Sequence, residues 1–168
     1  MPVTIRTGCH QPVRVGTVKY PGSYAVVLVL HLLTVMFLVG PSAIAAMVSV
    51  RAARAGHAGA LRDASRTTRV CANGTVLVVL LGTAMVGLGP VGDQWGLGQL
   101  WISASYALWF VAVALTLGLV VPTQVKAAEV IESGGSAGEL AGRIAVGAGL
   151  ALLAWTAIVV LMVAKPGA

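Results

Sequence analysis

Charge is what this chain has least of. Asp, Glu, Lys and Arg make up 10% of its 168 residues, where a soluble domain carries about 25%. So little polar surface cannot cover a water-soluble globule, which excludes a soluble enzyme or binding module. Acidic residues are the scarcer sign, five against eleven Lys and Arg. No carboxylate falls inside the long apolar runs, and no nucleophile stands beside a base. The pairings that acid–base and covalent catalysis rely on are therefore missing, and a non-enzymatic protein is expected. Cysteine is nearly missing too. Cys9 and Cys71 are separated by one apolar run and so lie near opposite faces of a membrane, whereas a disulfide needs Cα atoms within about 7 Å. The first 20 residues hold no apolar h-region, so no cleavable signal peptide is expected and the first apolar run acts as an uncleaved signal-anchor. The many glycines show no G-x-x-x-x-G-K-S/T spacing and make no phosphate loop.

What fills the chain instead is four apolar runs, at about 24–50, 70–91, 100–122 and 144–164, none with an internal Asp, Glu, Lys or Arg. Roughly 20 apolar residues suffice to cross a bilayer as a helix. The expected fold class is all-α: a polytopic membrane protein packed as an antiparallel four-transmembrane-helix bundle. Residues 1–23 read as a basic polar tail, and 24–168 as a single four-span membrane domain. Ser23 is a candidate N-cap for the first span. Gly40-Pro41 lies mid-span, where proline removes a backbone donor and kinks a helix. Gly56 is a candidate stop, and the second helix should begin before the membrane, near 58–60. Trp95 and Trp101 suit a headgroup-level anchor. Pro122 ends the third span, beyond which TQVKAAEVIE continues as a kinked extension with Lys126 and Glu129 at i, i+3. Ser136-Ala137-Gly138-Glu139 has the capping-box spacing, and Glu139 with Arg143 forms an i, i+4 pair. The fourth helix is thus expected from about Ala137 to Lys165-Pro166.

The net charge of +6 sits in tails and connectors, where it reports orientation and headgroup contact rather than nucleic acid. No nucleic-acid partner is expected. One face carries Arg6, Arg14, Lys19 and Lys165. The other carries Arg51, Arg54, Arg62, Arg66, Arg69, Lys126 and Arg143. The richer face is expected in the cytoplasm, with both termini outside a cell inner (plasma) membrane. Arg62, Arg66 and Arg69 recur at i, i+4 and i+7, one helical face, and with Arg51 and Arg54 form a basic collar suited to anionic headgroups or an acidic partner subunit.

His31, about two turns into the first span, is the most informative single residue, since ionisable groups in membranes default to a functional hypothesis. Three readings stand. One is helix glue, the imidazole bonded to Ser103, Ser105, Tyr106 or Thr156; the second is a ligand to haem or a metal; the third is a proton relay or quinone contact. The runs hold no second histidine, so a bis-histidine haem would need another chain, and no cofactor or metal is expected. Cys9-His10 offers two ligands where a zinc site needs four, His57 reads as solvated, and Asn73 reads as packing glue. The methionines are scattered, Met36, Met47, Met85 and Met162 over three helices. In the fourth helix, Gly138, Ala141, Gly142, Ala145 and Gly149 give small-x-x-x-small spacing, beside Gly147 and Ala151. Such spacing lets helices approach closely in lipid, inside the bundle or at a dimer face.

Leu30-His31-Leu32, then Gly40, then Arg51 and Arg54, with Pro122 closing the third span, resembles a bacterial four-helix membrane family known only as a domain of unknown function. That family is related in pattern to the copper-resistance protein D group. The resemblance covers about 24–164 and implies a bacterial inner-membrane protein of four spans. The functional expectation is a non-catalytic accessory or scaffold subunit of a larger respiratory or transport assembly, in contact with other membrane subunits. The alternative is a small transporter or redox subunit in which His31 binds metal, haem or quinone.

Overall fold

The structure, a computed structural model, describes residues 22–88 and 98–166. Helix α1 runs Gly22–Ala55, α2 Ala58–Leu88, α3 Leu100–Leu115, α4 Val121–Glu132 and α5 Gly138–Ala164. A π-helical turn, Thr116–Val120, joins α3 to α4 without a break. The result is an all-α molecule with four helices long and apolar enough to span a membrane: α1, α2, α3 with α4, and α5. The 34 residues of α1 rise about 51 Å at 1.5 Å each, well beyond a hydrocarbon core of about 30 Å. The surplus carries the arginines clear of the lipid.

Two glycines turn the chain sharply. Gly56, at φ 72°, follows α1, and the His57 N–H donates back to the Ala52 carbonyl at 3.0 Å. Gly134, at φ 83°, follows α4, and the Gly135 N–H donates to the Val130 carbonyl at 2.8 Å. Positive φ is where a side chain is strained and glycine is not. These tight links make α1 and α2, and then α4 and α5, antiparallel neighbours; α2 also lies against α4, and α3 against α5.

Pro122 does more than bend the third span. In an α-helix its ring would press on the carbonyl four residues back and its missing N–H would leave that carbonyl unserved. The wider π turn immediately before it absorbs both effects, with the Val121 N–H reaching the Thr116 carbonyl. Threonine hydroxyls serve the flanking carbonyls, Thr116 at Ala112 and Thr123 at Leu119. Gly147 of α5 fits against this turn: a methyl there would stand 3.0 Å from Leu119 Cδ2 and Val120 Cγ2.

Several local expectations change. The α1 helix already includes Gly22 and Ser23, so Ser23 lies inside the helix rather than capping it. The α5 N-cap is Ala137 with no side-chain cap bond; the Ser136–Glu139 capping box does not form, because the helix starts one residue later than that box requires. Glu139 instead holds Arg143 at 3.4 Å. Among the described residues no ion pair joins Lys126 to Glu129. Asn73 is exposed rather than packed between helices. Cys9, His10, Trp95 and the basic tail lie outside the described residues.

Packing is uneven along the bundle. At the end bearing Gly56 and Gly134, a close-packed core of mostly small side chains joins α1, α2, α4 and α5: Ala52, Ala53, Leu61, Val120, Ala127, Ala128, Ala137, Ala141 and Ile144. At the opposite end the helices stand apart around a cavity.

Candidate functional site

His31 is buried, at 8% exposure, and its Nδ1 lies 3.0 Å from the Val78 carbonyl oxygen of α2. A carbonyl only accepts, so Nδ1 must carry the ring proton and Nε2 must present a lone pair. The glue is therefore a backbone carbonyl, not the hydroxyl of Ser103, Ser105, Tyr106 or Thr156 that sequence offered. Two of those hydroxyl hydrogens are committed elsewhere. Ser105 donates to the Trp101 carbonyl at 2.7 Å and Thr156 to the Leu152 carbonyl at 2.9 Å. Gly82, one turn beyond Val78, makes the approach possible: a methyl there would stand 3.2 Å from the imidazole Cε1.

The ring faces a cavity of ≈ 450 Å³ between α1, α2, α3 and α5. Its walls are mostly apolar, from Leu28, Val35, Val86, Ile102 and Ile158 among others, with Trp101, Tyr106, Trp109 and Trp155 as broad aromatic surfaces. Met85 and Met162, scattered in sequence, both line it: helices that cross one cavity bring distant thioethers to one place. Polar groups converge on α2. Thr83 donates to the Val79 carbonyl at 2.8 Å, so its short contact with the Tyr106 hydroxyl has Tyr106 as donor. One turn up from Val79, Trp109 Nε1 donates to Thr75 Oγ1 at 3.0 Å, and Thr75 in turn donates to Ala72. Among the described residues no three His, Cys, Asp or Glu side chains gather as a metal cluster.

A second buried polar group went unseen in sequence. Gln124 of α4 is fully buried, and its Nε2 donates to Ser49 Oγ of α1 at 2.6 Å. Gln124 Oε1 and Thr68 Oγ1 are buried without a partner among the described residues. The reading of 123–132 as a surface extension hid this. The residue lies two positions past Pro122 on α4, and only packing against α1 and α2 shows that it points inward.

The basic collar divides. Arg62 makes two hydrogen bonds to Glu132, Nε at 2.8 Å and Nη2 at 2.6 Å, and so clips the start of α2 to the end of α4. The Glu132 hydrogen bond, then its charge, raises the Arg62 pKa above the usual arginine value, and the same hydrogen bond holds Glu132 below the usual carboxylate value. Arg62 is thereby taken out of the set free to meet lipid or a partner. Arg51, Arg54, Arg66 and Arg69 are exposed. The small-residue stripe divides as well. Ala141 is fully buried, while Gly138, Gly142, Ala145 and Gly149 face outward. The inward face of α5 is Ala141, Ile144, Gly147, Ala151, Ala154 and Ile158, so close approach inside the bundle falls to Gly147 rather than to those four.

Residues 25–166 match the family described as Predicted integral membrane protein (DUF2269). No curated protein and no solved structure matches the chain.

Proposed function

The chain belongs to this family of predicted integral membrane proteins, and within it we propose a non-catalytic subunit that holds a membrane-soluble ligand at His31. The observation that carries this is one atom: His31 Nε2 has no hydrogen-bond partner among the described residues and its ring lines the ≈ 450 Å³ cavity, while Nδ1 is fixed on Val78. Cavities of about 300–1,000 Å³, mostly apolar with a few convergent polar groups, are the usual form of small-molecule sites. An oriented neutral imidazole offers its free nitrogen either to a metal centre or to a hydrogen donor. The Lys and Arg imbalance supports an orientation with this cavity toward the outer leaflet of a bacterial inner membrane.

The test is purification from native membranes in mild detergent, followed by a visible spectrum and mass spectrometry of the organic extract. An apolar molecule enriched over bulk lipid in the wild type and reduced in His31→Leu is expected. An extract that matches bulk lipid in both would end the ligand reading and leave the accessory or scaffold role. That second reading has its own support. Arg51, Arg54, Arg66 and Arg69 are exposed, a surface suited to anionic headgroups or an acidic subunit.

A further inference from the structure

The hydrogen-bond directions around the cavity select among ligands, given that the cavity holds one. The polar hydrogens of its inner wall are spoken for. His31 spends its ring proton on Val78, Ser105 spends its hydroxyl on Trp101, Thr83 spends its hydroxyl on Val79, and Tyr106 in consequence spends its own on Thr83. What these groups have left is lone pairs. In hydrocarbon, a polar atom with no partner costs free energy, and water is scarce as a substitute. A ligand that brings a hydrogen to His31 Nε2 removes that cost, and one that brings only an oxygen lone pair adds to it. The Trp155 indole, the Tyr24 hydroxyl and the Lys165 ammonium also line the cavity and are donor groups of the kind a carbonyl or ether uses, but they do nothing for His31.

The walls speak to the rest of the ligand. Trp101, Trp109, Tyr106 and Trp155 present flat rings, against which an aromatic ring stacks or packs edge-on. A bare cation fits poorly, because among the described residues no anionic side chain lines the cavity to offset its charge and Lys165 does line it, in a low-dielectric surround. We propose that this cavity takes an apolar molecule with an aromatic hydroxyl, of the alkylated hydroquinone or phenol class, and that it prefers this to the matching quinone or ether. The hydroxyl donates to His31 Nε2, and the Tyr106 oxygen is a second acceptor, one ridge further round α2. Val78 and Gly82 mark the first ridge, Val79 and Thr83 the next.

Titration calorimetry of the protein in nanodiscs, with empty discs subtracted, tests this using four probes: a decyl-substituted benzohydroquinone kept reduced under argon, its quinone, its dimethyl ether, and decanol. The hydroquinone should bind at least about tenfold more tightly than the quinone or the ether, the scale on which a site that hydrogen-bonds a hydroxyl rejects analogues lacking it. Decanol, with a hydroxyl but no ring, should bind more weakly than the hydroquinone. In His31→Leu the preference should fall to within about threefold while ether binding persists, which shows that the cavity is still folded; Tyr106→Phe should fall between. Equal affinity for hydroquinone, quinone and ether would overturn the donor argument and leave a ligand site. A Soret or metal-charge-transfer band in the native protein, lost in His31→Leu, would replace the hydroxyl with a metal centre. Binding of none of the probes, with an extract matching bulk lipid, would remove both this proposal and the ligand reading beneath it.

Discussion

At His31 one carbonyl decides the chemistry. Because Val78 accepts from Nδ1, the tautomer is set and the free lone pair is on Nε2. The same bond sets what substitution should do. In His31→Gln the amide N–H₂ can replace the ring donor toward Val78, so stability should hold near the wild-type value. His31→Leu should lose roughly 1 kcal/mol, the scale of interhelical hydrogen bonds in membranes. Reversible unfolding in mixed micelles measures both. A leucine variant as stable as the glutamine variant would mean that the bond contributes nothing to the fold. The histidine itself was legible as the position to watch, because ionisable groups are rare in lipid. Its partner was not, because every residue of every helix carries a carbonyl and no side-chain pattern marks Val78.

Among the helices, α5 shows how spacing and burial part company. Gly138, Gly142, Ala145 and Gly149 have the spacing of a packing motif and lie outside, whereas Gly147 meets the π turn. Gly147→Leu should therefore cost about 1–3 kcal/mol by overpacking against Leu119 and Val120, while Gly142→Leu, where a Cβ would meet nothing within 4 Å, should leave the isolated chain as stable as before or slightly more so, since leucine suits a helix better than glycine. Thermal unfolding of the two variants separates them, and similar losses for both would place Gly142 in a contact of its own. The ion pair between α2 and α4 adds a pH signature. The hydrogen bond from Arg62 depresses the Glu132 pKa, so the pair's contribution is present above the ordinary carboxylate range and is lost as pH falls through the lowered value. Arg62, raised from an already high value, would lose its contribution only above any practical pH. Melting temperatures of wild type and Glu132→Gln should accordingly diverge near neutrality and converge in acid. Both partners are about half exposed, so the divergence should be small and shrink in salt.

For the whole molecule, the two ends of the bundle are built differently. One is close-packed through alanines and clipped by Arg62 and Glu132; the other surrounds a cavity. By sequence, seven Lys and Arg fall on the connector side that carries Gly56 and Gly134 and four on the other, so the close-packed end is proposed to face the cytoplasm. A Gly59→Cys variant should be protected from a membrane-impermeant thiol reagent in intact cells and labelled after lysis. Cys9, on the N-terminal side of α1, should label in both, and buried Cys71 in neither. Labelling of Gly59→Cys in intact cells would reverse the orientation and place the His31 cavity toward the cytoplasm.

The sequence by itself determined that the chain holds four helices long and apolar enough to cross a membrane, that it turns at Gly56 and near Gly134, and that α4 continues the third helix past Pro122. Each of these follows from a one-dimensional quantity: the length of an uncharged run against the thickness of a bilayer, or a glycine or proline at its boundary. Which face of each helix turns inward was decided only by the tertiary structure. In water the core-facing side announces itself by being apolar, but lipid is as apolar as a core, so an all-apolar helix carries no such mark. For that reason Gly147 and not Gly142 met its neighbour, Gln124 turned inward to Ser49, Arg62 left the collar for Glu132, and His31, Tyr106, Trp109 and two distant methionines came to share one cavity.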